Sequence, residues 1–235
     1  MSHYSGPFNA PRYGDRFHKM TRSKISGSSS FASSAKRRAV RSNDERFAAT
    51  RAELIAAARR LFAERGYAAT ATENLVANAG TTRGALYYHF KDKEDAFRAV
   101  IEQVAREIAA SINVRSRSAS TPLDRLLDGC EAFLIKSLQP DIARVYLIDG
   151  PAVLGWSQWR QLDAEFAALE LEEAVAEVVG AAANRSIIRV RATAISGLLT
   201  EVALLAALEP GSVKRTVLLR ETRAIITAIL RDVPS

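Results

Sequence analysis

Thr81-Thr82-Arg83-Gly84-Ala85-Leu86-Tyr87-Tyr88-His89-Phe90, followed by Lys91-Asp92-Lys93-Glu94, is the stretch on which the reading of this chain turns. It is too short and too polar for a core helix. Hydroxyls, a guanidinium, phenols, an imidazole and lysines crowd into about four helical turns' worth of chain. Nearly all of these groups can donate a hydrogen bond to a phosphate oxygen, and Gly84 lets backbone come close to something bulky. Such a segment reads as a short helix built to touch DNA.

The residues before it complete a helix-turn-helix. Thr50-Arg51-Ala52-Glu53 fits a capping box, with a hydroxyl N-cap and a carboxylate three residues on. Ile55, Ala58, Leu61 and Phe62 then share one face, up to Arg65-Gly66, a basic last turn with a glycine stop. Thr70-Ala71-Thr72-Glu73 reads as a second capping box, opening a short helix with Leu75, Val76 and Ala79 inward. Gly80 ends it and Thr81 starts the third helix. Two short helices joined by a tight turn place the second in the DNA major groove.

From Thr50 to about Val104 the chain resembles the N-terminal DNA-binding domain of the TetR family of bacterial transcriptional regulators. The resemblance rests on Leu61-Phe62-Ala63-Glu64-Arg65-Gly66-Tyr67, on Ala79-Gly80-Thr81-Thr82-Arg83-Gly84-Ala85-Leu86-Tyr87-Tyr88-His89-Phe90, and on Lys93-Glu94. The chain has Thr81 where the family usually has Val, and Ala85 where it often has a hydroxyl. Asp149-Gly150-Pro151-Ala152-Val153-Leu154-Gly155-Trp156 is similar to the ligand domain of one branch of the family. The resemblance implies an all-α fold, with an N-terminal three-helix helix-turn-helix domain (46–108) and a larger helical ligand-binding and dimerisation domain (109–235). It also implies a homodimer that binds a palindromic operator, blocks promoter access and is released by an effector.

Composition agrees. At 235 residues the chain suits a small domain plus a larger one. Ala, Leu, Glu and Arg dominate, and few β-branched runs alternate with period two, which favours helices. No apolar run of membrane-spanning length and no signal peptide are expected. A single cysteine, Cys130, excludes an internal disulfide and suits a reducing cytoplasm. It reads as a buried small hydrophobe rather than a redox sensor. The net charge of +7 is localised, because residues 1–49 hold ten Lys/Arg against three Asp/Glu and the remainder is balanced. Residues 1–45 are expected to be a disordered basic tail. This is either an arm that adds salt-sensitive DNA affinity, or a passive tail, with Met20 as the alternative start.

The expected DNA-contacting set is Thr72, Thr81, Thr82, Arg83, Gly84, Ala85, Tyr87, Tyr88, His89 and Lys93. The hydroxyls, His89 and Lys93 suit phosphates, which fix register. Arg83 suits guanine O6 and N7, while Ala85 and the Tyr87 ring suit thymine methyls. Leu86 and Phe90, one turn apart, should face the core. His89 has no second His or Cys at ligand spacing, so no metal and no cofactor are expected.

Further on, Asp92-Lys93-Glu94-Asp95 caps a helix through Ile108, and Asn113–Ser120 reads as a polar loop. Thr121-Pro122-Leu123-Asp124 starts the next helix, which buries Leu126, Leu127, Phe133 and Leu134. Asp141–Ile148 reads as a short helix broken by Gly150-Pro151. The last two helices, Ile187–Leu208 and Val213–Leu230, are apolar on more than one face. They therefore suit a four-helix dimer interface through Ile195, Leu198, Leu199, Val202, Leu205, Val217, Ile225 and Ile229. Phe133, Tyr146, Leu147, Trp156, Trp159 and Phe166 are candidates to line a pocket for a small hydrophobic or aromatic effector. Arg144, Asp149, Gln158 and the Tyr146 hydroxyl are candidate orienting groups. An enzyme is disfavoured, since there is no Gly-x-Ser-x-Gly, P-loop or dinucleotide pattern and no histidine near the pocket candidates. An architectural DNA binder using the basic tail is the remaining rival.

Overall fold

Helix α1 runs from Ser30 to Arg65 in the computed structural model, which describes residues 30–180 and 183–231, with side chains from Asp44 onward except 167–169. The expected disordered tail, residues 1–45, lies outside the described residues over 1–29, with the arm and the Met20 start, and over 30–45 it is helical instead, as the first turns of α1. Every regular element among the described residues is helical. Two compact units make up the chain, residues 1–45 and residues 46–235, and the buried core belongs to the second.

The helix expected to start at Thr50 continues through that residue, so the Thr50–Glu53 capping box is not used. The amides there already have helical partners, and a side-chain cap has nothing to satisfy. Gly66 ends α1 with φ of 79°, a conformation that suits glycine. A Cβ at this position would also lie 2.2 Å from the Arg144 guanidinium. Helix α2 (Thr72–Asn78) and helix α3 (Arg83–His89) follow. The α2 cap is Ala71 rather than Thr70, with the Ala71 N–H donating to Asn74 Oδ1 at 3.2 Å. Thr70 is fully buried instead, and its hydroxyl donates to the carbonyls of Gly66 (2.8 Å) and Leu61 (3.3 Å). Thr82, one residue later than expected, caps α3 by accepting from the Ala85 N–H at 3.1 Å.

Helices of seven residues do not persist alone in water, so α2 and α3 depend on what they pack against. Leu75 of α2 enters the large core with Ala58, Leu61, Phe62 and Phe97. Leu86 of α3 joins Leu54, Phe90, Ala96 and Ala99 in a second, smaller cluster further toward the start of α1. Helix α4 (Lys93–Ser116), capped by Asp92 through the Asp95 N–H at 2.8 Å, supplies residues to both clusters. It continues past Asn113, so the expected loop begins only at Arg117.

Helix α5 (Pro122–Ser137) starts as expected, with the Thr121 hydroxyl accepting from the Asp124 N–H at 3.1 Å and Pro122 in the first turn. The segment expected to break at Gly150-Pro151 does not break there. Helix α6 (Pro140–Ile142) passes into a π-helical stretch, Ala143–Asp149, and on into helix α7 (Gly150–Leu154). Pro151 therefore removes one backbone hydrogen bond from this helical run. The chain turns instead at Gly155, where φ is 76°.

Helices α8 (Trp156–Val179), α9 (Arg185–Leu208) and α10 (Arg215–Arg231) complete the body. Contrary to expectation, α9 is long and apolar enough, by length and composition, to cross a membrane. It packs against α8, α10 and α5 through one stripe, with Ala192, Ile195, Leu199 and Ala203 buried, while most of the rest of its surface is exposed or half-buried.

Replacing Thr70 by Val keeps its shape and removes a buried donor. We expect a loss of about 1–2 kcal/mol, read as a fall in melting temperature of roughly 2–8 °C.

Candidate nucleic-acid interface and effector cavity

The short helix α3 divides cleanly by burial. Leu86 and Phe90 are each 2% exposed, as expected from their spacing, whereas Tyr87 and Tyr88 are 46% and 76% exposed. Thr82, Arg83 and Gly84 share the open face, and Thr72, Thr81 and Ala85 are half-buried beside it. Arg83 is held over the Tyr87 ring at 5.7 Å and pairs with Glu73 of α2 at 3.4 Å. Both partners are mostly exposed, so the pair is weak and the guanidinium is free to exchange it for a better acceptor. The Thr72 hydroxyl donates to Glu73 at 3.2 Å.

Two of the expected contacts are also engaged within the protein. Lys93 donates to the carbonyls of Tyr67 and Thr70, both at 3.0 Å, and its ammonium lies 4.1 Å from the Tyr67 ring centroid. Two of its three N–H donors therefore tie down the α1–α2 loop, since an ammonium near two carbonyl oxygens binds them in preference to extending into solvent. His89 lies against Phe47 with ring centroids 4.3 Å apart, and its Nδ1 is buried. Burial, and then the nearby Arg51 charge, hold its pKa below the ordinary value, which disfavours a cationic phosphate contact.

Phe47 and Arg51 are supports that the motif reading missed. Phe47 also meets Tyr88 edge-on at 5.6 Å, and Arg51 lies 5.1 Å from the Phe90 ring. A signal was available: Phe47, Arg51, Leu54 and Ala58 carry the helical period of α1 back beyond Thr50.

Gly84 has no internal reason to be glycine. A Cβ there would meet only Thr82 Oγ1, at 3.9 Å. Glycine costs up to about 1 kcal/mol relative to alanine inside a helix, so its use here fits a surface that something approaches closely.

The body holds a half-open cavity of about 370 Å³ between α4, α5, α8 and α9. Ile112, Leu126, Phe133, Leu171 and Leu199 supply apolar wall, and Asp163, Glu170, Glu173 and Glu177 supply carboxylates, with Arg125 among them. Of the six aromatic and apolar residues expected there, only Phe133 lines it. Tyr146, Leu147 and Trp159 are buried in the core, Trp156 is exposed, and Phe166 is half-buried under Arg106. Large rings gain most by close packing, so the space opens where Gly129, Ala174, Ser116 and Ser196 leave it. Arg144, Asp149 and Gln158 are also absent from the wall. The acidic side was legible as Asp163, Glu170, Glu173 and Glu177 at helical spacing along α8.

Cys130 faces the cavity but is buried, and burial pushes its thiol up to about 12. Asp163 accepts from the Tyr146 hydroxyl at 2.7 Å and from Arg160 at 3.0 Å. Burial raises its pKa, while these two partners pull it back down.

The expected dimer residues divide as well. Ile195 and Leu199 point into their own core, 0% and 6% exposed, because α9 must bury one stripe against its own bundle. Leu205 and Ile225 are 42% and 45% exposed. Leu198, Val202, Val217 and Ile229 are half-buried.

Comparison with known proteins gives a consistent result. Residues 54–100 match the family described as bacterial regulatory proteins, tetR family, and residues 123–231 match the tetracyclin repressor-like C-terminal domain. The HTH-type transcriptional regulator TtgR of Pseudomonas putida is 40% identical over 65 residues, 28% of this chain and 31% of that protein. An HTH-type transcriptional repressor of Mycobacterium tuberculosis is 32% identical over 117 residues, 49% of this chain and 61% of that one. The chain thus spans less than two thirds of either relative. The crystal structure of a TetR-family transcriptional regulator from Pectobacterium atrosepticum is 33% identical, covers 80% of this chain and 95% of that one, and superposes with a TM-score of 0.63.

Gly84→Ala is expected to leave the melting temperature unchanged or slightly higher while weakening DNA binding by at least about tenfold; a lowered melting temperature would contradict the open position of Gly84. At pH 8 the Cys130 thiolate population should be about 1,000-fold below that of a free cysteine. Alkylation by iodoacetamide should therefore be slow in the native protein and rapid in denaturant.

Proposed function

Because the chain belongs to the TetR family of bacterial regulatory proteins, we propose that it is a cytoplasmic, ligand-responsive transcriptional repressor that binds a palindromic operator as a homodimer. The family is one of transcriptional regulators, not enzymes, and its curated members among the relatives include repressors. The observation that carries the reading is the division of α3 into a buried pair, Leu86 and Phe90, and an open polar face of Thr82, Arg83, Gly84, Tyr87 and Tyr88.

Arg83 reads a guanine edge, with Ala85 and Tyr87 against thymine methyls. Thr72, Thr81, Thr82 and Tyr88 hold phosphates and set the register. Lys93 keeps its third N–H for a phosphate while stapling the loop behind the helix, and His89 acts mainly as packing. Pairing of two protomers occurs through Leu198, Val202, Leu205, Val217, Ile225 and Ile229, with Ile195 and Leu199 supporting this face from inside. A two-fold axis there presents two α3 helices to half-sites spaced by about one helical turn or more. The effector is a small molecule with an apolar or aromatic body for the cavity wall and a hydrogen-bond donor for its carboxylates. Its binding shifts the population away from the DNA-competent form.

Selection of bound fragments from genomic DNA by the full-length protein, at physiological salt, tests this reading. A discrete palindrome is expected; fragments with no shared motif would instead indicate an architectural, sequence-blind binder. On the selected operator, Arg83→Ala should cost about 1–3 kcal/mol and relax the preference at one position of each half-site. An equal loss on random DNA would remove the base-reading role.

A further inference from the structure

We infer that the π-helical segment Ala143–Asp149 couples the cavity to the helix-turn-helix unit, with Tyr146 and Asp149 as its two positioning residues. This deepens, and rests on, the regulator reading proposed above. At the cavity end Tyr146 is 2% exposed, and its hydroxyl donates to Asp163, a residue of the cavity wall, at 2.7 Å. Arg160 holds the same carboxylate at 3.0 Å and donates to Ser196, another wall residue, at 3.1 Å.

Three residues further along the segment, Asp149 turns toward the helix-turn-helix unit of α1–α3, the head of the molecule. Its Oδ2 accepts from the Tyr67 backbone N–H at 2.8 Å, and Oδ1 lies 3.4 Å from Arg144. Tyr67 is the first residue after Gly66, in the loop that joins α1 to α2. The loop is also held by Lys93, and the Arg144 guanidinium lies close against Gly66. One seven-residue segment therefore holds a carboxylate of the cavity at one point and the backbone that launches α2 at another.

The segment departs from regular α-helix. A π turn is rare and appears mostly as single turns inside α-helices, often at functional sites. A ligand whose donor engages Asp163 competes with the Tyr146 hydroxyl for its acceptor. A buried hydroxyl left without a partner is costly, so Tyr146 re-seats. The segment carries Asp149 with it, and the Tyr67 N–H loses its acceptor. The α1–α2 loop loosens, and with it the spacing of α2 and α3 from the rest of the head.

Amide hydrogen exchange followed by NMR on the full chain tests this without DNA or ligand. Asp149→Ala removes the acceptor directly and is expected to speed exchange of the Tyr67 amide by about tenfold or more. Tyr146→Phe, which removes one oxygen at the far end, should speed the same amide while leaving amides of 215–231 unchanged. The double variant should match Asp149→Ala alone, because one link severs both. Additive effects, a Tyr67 amide unmoved by Tyr146→Phe, or equal acceleration in 215–231 would overturn the coupling. If Tyr146→Phe does not fold, Asp163→Asn, which keeps an acceptor but drops the charge, should give a smaller change at Tyr67; no change there overturns the proposal. Failure of the regulator reading shows separately, as the absence of a shared motif among selected DNA fragments.

Discussion

Helix α4 presents one unbroken apolar face, and both ends of the molecule are built on it. Phe97, Val100, Ile101, Val104 and Ile108 belong to a single buried cluster that extends from Phe62 and Leu75 in the head to Ile226 and Leu230 in the last helix. Each of these side chains is worth about 1.5–3 kcal/mol when fully buried, and their sum far exceeds any one polar contact between the helix-turn-helix unit and the body. Ala96 and Ala99, on the neighbouring face of the same helix, close the second cluster under α3. Small residues there let Leu86 and Phe90 come close, and that closeness turns the polar side of α3 outward.

Polar contacts add direction to this apolar join. Arg59 of α1 pairs with Glu107 of α4 and with Asp141 of α6, half-buried at each site. Lys93 and Thr70 satisfy the carbonyls of the α1–α2 loop, and Asp149 satisfies the Tyr67 N–H. None of these is a large term alone. Together they decide the angle at which a seven-residue helix leaves the core, a matter on which apolar packing is permissive. A DNA-reading surface needs that angle held, because base contacts tolerate little misplacement.

The cavity follows a different logic. Aromatic residues gathered between 130 and 170 read as a pocket lining, but Tyr146 and Trp159 are consumed by the core and Trp156 is left outside. What remains open is bounded by small residues and by the acidic side of α8. Residue type says how much area a side chain can bury, and not which side of a crowded interface it will take. A pocket is the space left over after packing, and it is settled by neighbours distant in sequence.

Local chemistry was sufficient for much of the rest. The helix-turn-helix, the caps at Asp92 and Thr121, the stop at Gly66, the inward pair Leu86 and Phe90, and the extents of α9 and α10 were legible from spacing and residue type, because each depends on neighbours within a turn or two. Only the tertiary structure decided that Thr70 is a buried donor rather than a cap, that Lys93 and His89 turn to the protein, and that Ile195 and Leu199 serve their own core. It likewise decided that Gly150-Pro151 continues a π-helical turn. Each of these outcomes is set by a partner far along the chain: Leu61 for Thr70, Tyr67 for Lys93, Phe47 for His89 and Trp159 beside Gly150. A hydroxyl, an ammonium or an apolar face has several acceptable local states, and the choice among them is made by whichever long-range contact buries or satisfies it best.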